Sequence, residues 1–349
     1  MINTLRRPAT ELGGFVPLPM HYLVSGGAGF IGSHLCEALL ARGHRVTVAD
    51  NFDPYYPRCY KERNLADCYP NPNFRLIETD ICDPRSVEIL AAPYDCIVHL
   101  AAKAGVRPSI SDPYVFQSAN VLGTQNLLDL ARHSGVAQFV FASSSSVYGV
   151  NPTTPWKEQD NVLLPISPYA STKVSGELLG HVYSHLYGIR FIALRFFSVY
   201  GPRQRPDLAI RKFAQLILEG DCVPVFGDGS SSRDYTYVAD IVGGIRAAAD
   251  YRASLYEVIN LGNTHPISLL EMIATLERAL RTKAVLEYHP VQPGDAPRTY
   301  ADISKAKALL KYTPKIRFDE GMERFVEWLR QEHWNEDRIG VLRAAAGTD

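Results

Sequence analysis

The sequence predicts an α/β protein in which a doubly wound parallel sheet, covered by helices on both faces, is joined to a smaller C-terminal α/β lid. Three observations lead to this prediction. From Met20 onwards, short aliphatic runs alternate with helical patterns. The strand-like runs are almost continuously apolar, which is typical of strands buried on both faces of a parallel sheet. After about Tyr200 the rhythm changes to breaker-rich loops and shorter elements, which indicates a second, smaller unit.

The elements of the larger unit alternate along the chain. We predict strands over His21–Ser25, Arg45–Asp50, Phe74–Glu78, Cys96–Leu100, Gln138–Ala142 and Phe191–Arg195. We predict helices over Gly32–Arg42, Pro84–Ala91, Val115–His133 and Pro168–Tyr187. Because crossovers between parallel strands are right-handed, a doubly wound sheet is the simplest topology for this order.

The same patterns divide the chain into segments. Residues 1–19 lack the apolar core of a signal peptide, and Met20 directly precedes the first strand, so we expect residues 1–19 to be a disordered extension or an upstream start that the fold does not need. Residues 20–200 form the larger domain, to which residues 234–262 return, and residues 201–233 with 263–334 form the smaller one. The helical pattern weakens from Asn335, so we expect residues 335–349 to be a frayed tail.

Composition and charge exclude several classes of protein. The 349 residues carry a net charge of −1, so no basic field attracts nucleic acid or an anionic membrane. No run reaches the roughly 18 apolar residues that a membrane-spanning helix needs. The six cysteines are scattered without a C-x-x-C pair, which argues against a zinc site and is typical of reduced thiols. We therefore expect a soluble cytoplasmic protein without a metal.

A glycine-rich turn, GGAGFIG, joins the first strand to the first helix. Gly26 and Gly29 let the backbone turn tightly and approach a pyrophosphate, and Gly32 lets the helix pack closely on the strand. Phe30 and Ile31 belong to the same turn and are expected to contact the dinucleotide, and the backbone N–H groups that open the helix face the anion. This turn is the expected phosphate-binding part of a dinucleotide site.

An acidic residue stands at the matching place on the second strand. Asp50 follows Gly32 by eighteen residues. A carboxylate there accepts hydrogen bonds from ribose hydroxyls and repels a 2′-phosphate, so NAD is favoured over NADP. The alternative is a plain tight loop with a turn aspartate, but the full arrangement favours an NAD-binding Rossmann domain over residues 20–200. Asp80 and Ile81, after the third strand, are expected to edge the adenine pocket, with a solvated loop acid as the alternative.

A tyrosine and a lysine four residues apart lie in the predicted helix Pro168–Tyr187. The spacing places Tyr169 and Lys173 on one helix face. A nearby ammonium lowers the pKa of a tyrosine from about 10, so that it can act as a general base towards a sugar hydroxyl. The pattern alone also occurs in exposed helices. The serine run ending at Ser146 follows a buried strand and so emerges at the sheet edge where doubly wound folds bind ligands.

With these motifs, Met20 to Arg330 resembles the extended short-chain dehydrogenase/reductase family, and within it the nucleotide-sugar epimerases. The resemblance implies that Ser144, four residues before Tyr148 of the V-Y-G motif, works with Tyr169 and Lys173 in catalysis. It also implies that Lys173 hydrogen-bonds the nicotinamide ribose.

The resemblance extends to the family's second cofactor-facing loop and to a homodimer. The loop residues are Leu100, Ala101, Ala102 and Lys103, and for Lys103 a solvated lysine is the alternative.

The homodimer of this family packs the helices around Val115–His133 and Pro168–Tyr187 into a four-helix bundle. The apolar faces of these helices are equally compatible with burial inside one chain.

The resemblance also assigns three residues to the nucleotide sugar. Arg233 matches a position that holds the diphosphate, and Asp295 matches one that holds the uridine ribose. The charges suit these tasks, because arginine binds phosphate in a bidentate way and a carboxylate accepts from vicinal hydroxyls. Arg107 lies close to the sugar by the same correspondence.

The segment RFFSVYGPRQRPD, from Arg195 to Asp207, is the most informative about the sugar. It resembles the UDP-glucuronate 4-epimerases, which carry a small hydroxyl residue where many sugar epimerases have asparagine. The resemblance implies that Ser198 donates a hydrogen bond near the sugar carboxylate and that Arg205 is its counter-charge. A solvated loop with weak surface ion pairs is the alternative for Arg203 and Arg205.

The resemblance therefore implies NAD-dependent 4-epimerisation of UDP-glucuronate to UDP-galacturonate through a 4-keto intermediate, with Tyr169 as the base. A UDP-glucose or UDP-N-acetylhexosamine 4-epimerase is the nearest alternative. UDP-glucuronate decarboxylases carry glutamate at the position of Ser146, and 4,6-dehydratases carry an Asp-Glu pair where Ser145 and Ser146 stand. Because these acidic residues are missing here, decarboxylation and dehydration are less favoured than epimerisation. A catalytically silent NAD-binding module is the alternative from another class.

Overall fold

The computed structural model describes residues 18–291 and 296–345, with side chains up to residue 332. In chain order the strands are β1 (His21–Ser25), β2 (Arg45–Asp50), β3 (Phe74–Glu78), β4 (Cys96–His99), β5 (Gln138–Ser144), β6 (Arg190–Phe196), β7 (Ser198–Tyr200), β8 (Cys222–Phe226), β9 (Ser232–Tyr237), β10 (Tyr256–Leu261), β11 (Pro266–Ser268) and β12 (Val285–His289). The α-helices are α1 (Phe30–Leu40), α2 (Arg58–Asn64), α3 (Ser86–Ile89), α4 (Val106–Ser111), α5 (Pro113–Gln117), α6 (Gly123–His133), α7 (Pro168–Tyr187), α8 (Ala209–Glu219), α9 (Val238–Asp250), α10 (Leu269–Leu280), α11 (Ser304–Leu310) and α12 (Phe318–Ala345).

Seven strands form one parallel sheet in the order β10-β6-β5-β4-β1-β2-β3. The strand order reverses next to β1, which confirms the predicted doubly wound sheet. Two smaller sheets lie outside it, β11-β9-β7 and β12-β8. The carboxyl ends of β1, β2, β4 and β5 therefore meet at one edge, and ligands bind at such an edge in this architecture.

Helix α7 packs unusually close to the sheet because two of its residues lack a side chain. A Cβ atom on Gly176 would lie 2.4 Å from the ring of Phe141, and one on Gly180 would lie 2.2 Å from the ring of Phe191. The helix begins cleanly, since the Ser167 hydroxyl accepts a hydrogen bond from the backbone N–H of Ala170 at 3.2 Å. The close packing at the two glycines holds the middle of the helix against β5 and β6.

The single helix predicted over Val115–His133 is wrong in detail. The chain forms α5, a π-helical turn over Ser118–Leu122, and then α6. The turn includes Asn120, whose buried side chain accepts from the backbone N–H of Lys103 at 2.8 Å and donates to Thr172 on α7 at 2.9 Å. These bonds fix the π-turn in place, and π-bulges are common at functional sites.

Other predicted boundaries differ by a few residues. Helix α1 begins at Phe30, two residues before the predicted start, and α3 is shorter than the predicted Pro84–Ala91. The predicted extension over residues 1–19 lies almost entirely outside the described residues. Fraying of residues 335–349 stays a prediction, and the backbone of α12 is helical as far as Ala345. No helix in the described part of the chain is long and apolar enough to cross a membrane.

Candidate active site

A cavity of about 890 Å³ opens at the carboxyl edge of the main sheet. It extends from the glycine-rich turn, past the start of α7, to the loop that follows β7. Eighteen of the predicted site residues line it: Gly26, Gly29, Phe30, Ile31, Gly32, Asp50, Asp80, Ile81, Leu100, Ala101, Ala102, Lys103, Ser144, Tyr169, Lys173, Ser198, Arg205 and Arg233. One continuous space therefore joins the predicted cofactor residues to the predicted sugar residues.

The glycine-rich turn leaves no room for side chains. Gly26 has a φ of +72°, and a Cβ atom there would lie 2.7 Å from the backbone nitrogen of Ala101. A Cβ atom on Gly32 would lie 2.2 Å from the carbonyl oxygen of Gly26. Helix α1 thus begins directly against the turn, and its free N–H groups face the cavity.

Substituting Gly32 by alanine should remove dinucleotide binding. The new methyl group would collide with the Gly26 carbonyl and push α1 away from the turn. The matched control is Gly243→Ala in α9, where an added Cβ meets no atom within 4 Å and helix propensity favours alanine. We expect Gly32→Ala to purify with less than about a tenth of the wild-type bound dinucleotide, and Gly243→Ala with the wild-type amount, measured by absorbance after acid release. Equal retention in both variants would contradict this account of the turn.

Asp50 is buried at the end of β2 and faces the cavity. Its carboxylate accepts from the backbone N–H groups of Ala28 at 3.1 Å and Phe52 at 2.9 Å. Burial raises the pKa of Asp50, opposed chiefly by the positive charge of Lys61. The carboxylate therefore stabilises the glycine turn and still has free lone pairs with which it can accept hydrogen bonds from a ligand in the cavity.

The segment after β2 closes the cavity from the cofactor side. Lys103 forms a 2.8 Å ion pair with Asp53, so this lysine is not the solvated alternative. The backbone N–H of Tyr55 donates to the same carboxylate at 3.0 Å. Asp80, by contrast, accepts from the backbone N–H of Cys82 at 2.8 Å, as a loop aspartate does, while also lining the cavity.

The predicted catalytic residues come together where β5 ends and α7 begins. The Ser144 hydroxyl lies within hydrogen-bonding reach of the half-buried Tyr169 phenol. It also lies 3.2 Å from the Ser146 hydroxyl and accepts from the Ser146 backbone N–H at 3.2 Å. Lys173 is buried one turn after Tyr169, and its ammonium group donates to the carbonyl oxygen of Ala142 at 2.8 Å.

The pKa of Tyr169 differs from the sequence expectation. Burial raises it, and the opposing influences are the Ser144 hydrogen bond and the positive charge of Arg205, not Lys173. The reason is that Lys173 is turned towards the Ala142 carbonyl and is itself desolvated, since burial lowers its pKa to about 7. Tyr169 thus needs positive charge from its surroundings before it can act as a base near neutrality.

A buried polar network supports Lys173 from behind. Arg195 forms two hydrogen bonds with Glu177, at 2.9 and 2.8 Å, and Ser143 donates to the same carboxylate at 2.5 Å. Glu177 raises the pKa of Lys173 against the larger effect of burial. Sequence reasoning missed this role of Arg195 and Glu177, although Glu177 lies one further turn along the helix face of Tyr169 and Lys173.

The far end of the cavity carries the predicted sugar-binding residues. Ser198, Arg205 and Arg233 line it, and Arg205 is ion-paired with Asp207 at 2.8 Å. Arg107 is exposed and is not among the described residues that line the cavity. Its guanidinium carbon lies 5.2 Å from the ring centroid of Phe226, so the predicted sugar contact of Arg107 stays a prediction. Asp295 lies outside the described residues, so its role stays a prediction.

Apolar and aromatic side chains complete the lining and were missed by the sequence analysis. They are Tyr55, Tyr56, Phe116, Phe196, Phe197, Leu208 and Tyr235. Phe196 and Phe197 belong to the segment RFFSVYGPRQRPD, but the sequence analysis assigned no role to them, and only the folded chain shows that all seven side chains line the cavity. Such a mixture of apolar walls and a few converging polar groups is typical of a small-molecule site.

Comparison with known proteins identifies the family of this chain. The model of the GDP-mannose 4,6 dehydratase family matches residues 23–325. The chain belongs to this family. A UDP-glucuronate 4-epimerase of Thermodesulfobacterium geofontis is 41% identical over 315 residues, which cover 89% of this chain and 96% of that protein.

Solved structures of this family are similar along almost their whole length. The UDP-glucuronic acid 4-epimerase of Bacillus cereus, crystallised with UDP-glucuronic acid and NAD, is 38% identical with a TM-score of 0.85, over 89% of this chain and 99% of that one. The UDP-glucose 4-epimerase of Thermotoga maritima, crystallised with UDP-glucose, is 32% identical with a TM-score of 0.82, over 90% and 99% of the two chains.

Proposed function

We propose that this chain is an NAD-dependent isomerase that converts UDP-glucuronate to UDP-galacturonate by inverting C4 through a 4-keto intermediate. The observation that carries the proposal is that Arg205 and Ser198 share one cavity with Ser144 and Tyr169. An arginine and a hydroxyl at the sugar end suit a carboxylate, which neutral hexoses lack. The relatives named UDP-glucuronate 4-epimerase support the same substrate.

The residues of the first half of the cavity fit NAD. The glycine turn provides a cradle that any Cβ atom would fill, and Asp50 presents a carboxylate at the ribose position. Lys103 and Asp53, as an ion pair, close the same side. When bound, NAD supplies reversible oxidation of the C4 carbinol. Tight retention is expected, because the cofactor returns to its starting state in each turnover.

The protein's own contribution to the reaction begins with proton transfer. Tyr169 accepts the proton of the C4 hydroxyl, and Ser144 orients that hydroxyl through its hydrogen bond to the phenol. Lys173, which here donates to the Ala142 carbonyl, would hold the nicotinamide ribose of bound NAD and would add positive charge beside Tyr169. After the keto sugar has turned over in the cavity, Tyr169 returns the proton to oxygen.

The carboxylate of the intermediate requires separate control. A 4-keto uronate is a β-keto acid, and it loses carbon dioxide when its C5–C6 bond aligns with the carbonyl π system. Ser198 and Arg205 hold the carboxylate away from that alignment. Ser146 stands where decarboxylases carry glutamate, so no carboxylate of that kind faces the sugar here.

An NMR time course of the purified protein with UDP-glucuronate and no added NAD tests the proposal. We expect anomeric signals of UDP-galacturonate to appear without those of UDP-pentose. Formation of UDP-pentose as the main product would make the enzyme a decarboxylase. Conversion of UDP-glucose or UDP-N-acetylglucosamine, with UDP-glucuronate left unchanged, would assign the same chemistry to a neutral sugar.

We also propose a homodimer formed through the helices around Val115–His133 and Pro168–Tyr187, which in the structure are α5, α6 and α7. Of these helices, α5 and α7 expose large apolar side chains on the described surface, including Tyr114 at 83%, Leu178 at 57% and Leu186 at 61%. Such a patch supports burial against a second copy. Light scattering at micromolar concentration tests this, and a monomeric mass would contradict it.

We further propose a division into an NAD-binding domain of residues 20–200 with 234–262 and a nucleotide-sugar domain of residues 201–233 with 263–334. The small sheet β12-β8 and helix α10, which lie in the second set, support this division. We propose a cytoplasmic location, which the six free thiols support.

A further inference from the structure

The ion pair between Arg205 and Asp207 leaves one part of the arginine free for the cavity. The Nε and Nη2 atoms of Arg205 both donate to the carboxylate of Asp207, at 3.0 and 2.8 Å. A guanidinium carries five N–H donors in a fixed plane, so this bidentate contact leaves the two donors of Nη1 and one of Nη2. The plane of the group and the direction of its free edge are thereby set.

Asp207 contacts Arg205 from outside the cavity lining. Among the described residues, Arg205 belongs to the lining and Asp207 does not. The side chain of Arg205 is 20% exposed and that of Asp207 is 34% exposed, so the pair is only partly screened by water. Burial alone would lower the pKa of Arg205, and the hydrogen bonds and charge of Asp207 outweigh it and raise the pKa.

A residue from the cofactor side holds Asp207 in turn. The Tyr55 hydroxyl donates to Asp207 at 3.4 Å, and the ring of Tyr55 lies 5.6 Å from the guanidinium carbon of Arg205. Tyr55 is fixed through its backbone N–H to Asp53, which pairs with Lys103. A chain of contacts thus runs from the cofactor loop to the arginine at the sugar end.

We propose that Asp207 is a positioning residue that aims Arg205 at the carboxylate of the nucleotide-linked uronic acid and so selects acidic over neutral sugars. The inference rests on the proposed function. It assigns to Asp207 an effect on substrate choice and on product fidelity, although its carboxylate carries the same charge as the substrate and stands outside the cavity lining.

If Arg205 is no longer oriented towards the substrate carboxylate, a defined side reaction becomes possible. If the carboxylate of the 4-keto intermediate rotates into alignment, the C5–C6 bond breaks and carbon dioxide leaves. The electron pair of that bond forms an enolate across C5 and C4, a proton adds at C5 to give the UDP-4-ketopentose, and return to C4 of the hydride removed in the oxidation gives UDP-pentose. The oxidation that precedes this step is the one already part of the epimerisation.

The chain contains a matched control for the ion pair. Arg317 and Asp319 have the same spacing and the same two hydrogen bonds, at 3.1 and 2.9 Å, but their side chains are 80% and 53% exposed. Asp207→Asn and Asp319→Asn therefore remove the same charge from the same local geometry. Only the first change affects an arginine that lines the cavity.

Calorimetry and product analysis of the two variants test the proposal. For Asp207→Asn we expect the Kd of UDP-glucuronate to rise about tenfold and that of UDP-glucose to change less than about twofold. We expect the share of carbon dioxide and UDP-pentose products to rise at least about fivefold, and Asp319→Asn to match the wild type on all three measures. In an Arg205→Met background, Asp207→Asn should have no further effect on uronate binding.

Several results would overturn the inference. Unchanged or tighter uronate binding in Asp207→Asn would mean that Asp207 only competes with the substrate for Arg205. An equal loss of binding affinity for UDP-glucuronate and UDP-glucose in Asp207→Asn would mean that Asp207 has only a structural role. In that case Asp207→Glu, which keeps the negative charge, would also fail to show wild-type selectivity. If the wild-type protein does not convert UDP-glucuronate at all, the proposed function fails together with the inference, a result distinct from a wild-type-like Asp207→Asn.

Discussion

Replacing Tyr169 by phenylalanine should lower kcat for UDP-glucuronate by about a thousandfold. Only the phenolic hydroxyl is removed, and it is the group that the Ser144 hydroxyl contacts in the catalytic cavity. Substrate affinity should change less than about twofold, because Arg205 and Arg233 at the sugar end are untouched. Single-turnover NMR gives the rate, and calorimetry gives the Kd.

A second tyrosine provides the control for this change. Tyr288 lies on β12, is 58% exposed and does not line the cavity, so Tyr288→Phe should keep wild-type kcat and Kd. Activity of Tyr169→Phe within tenfold of the wild type would mean that another group takes the C4 hydroxyl proton, and the mechanism would be wrong. Loss of substrate binding in place of turnover would place Tyr169 in recognition instead.

Arg205→Met should weaken UDP-glucuronate binding by about a hundredfold while leaving UDP-glucose binding almost unchanged. A charge-assisted hydrogen bond to a partly buried carboxylate contributes about 1.5–3 kcal/mol, which corresponds to a factor of this size. Asp207 would lose its ion pair with Arg205, and the carboxylate of the keto intermediate would be free to rotate. We therefore expect carbon dioxide and UDP-pentose among the products, measured by NMR and by carbon dioxide capture.

The same substitution should shift the pH dependence of turnover. The charge of Arg205 lowers the pKa of Tyr169 against the raising effect of burial. Without that charge the phenol loses its proton at higher pH, so the rising limb of the kcat profile should move upwards in pH. Arg317→Met removes an arginine of the same local geometry from the surface and should leave both binding and profile unchanged. An unshifted profile in Arg205→Met would contradict the electrostatic part of the account.

Sequence patterns predict the sheet well because buried parallel strands have an unmistakable apolar composition. His21–Ser25 and Arg45–Asp50, which are buried along almost their whole length, have the same bounds in the sequence pattern and in the structure. The helix predicted over Val115–His133 fails at the π-turn, since apolar periodicity continues across it. What interrupts the helix is the side chain of Asn120, through contacts with residues 17 and 52 positions away.

In the candidate site, too, the features set by local sequence are predictable, whereas those set by contacts between distant residues are not. The turn from Gly26 to Gly32 is predictable because its function depends on local backbone geometry. The ion pair of Lys103 with Asp53 depends on a contact across 50 residues, and no spacing indicates it. The pKa of Tyr169 could not be inferred from the presence of Lys173, because burial and the orientation of the lysine decide it.

The proposed function assigns substrate selectivity to a small number of fixed groups. Arg205 interacts electrostatically with the phenol of Tyr169 and donates hydrogen bonds to Asp207. Under the proposed function, this one arginine would act both on the uronate carboxylate and on the proton affinity of the base. A neutral sugar would leave the free N–H donors of Arg205 without an acceptor, and burying an unpaired donor costs free energy. The proposed selectivity for an acidic sugar follows from that difference.

The most direct test of the central claim uses UDP-glucuronate labelled with deuterium at C4. The purified enzyme is incubated with this substrate in ordinary water, and the product is examined by NMR and mass spectrometry. Inversion through oxidation and reduction at C4 predicts UDP-galacturonate that keeps the deuterium at C4, with the C5 proton not exchanged for solvent. UDP-galacturonate with a solvent proton at C4, or no conversion of UDP-glucuronate, would contradict the account.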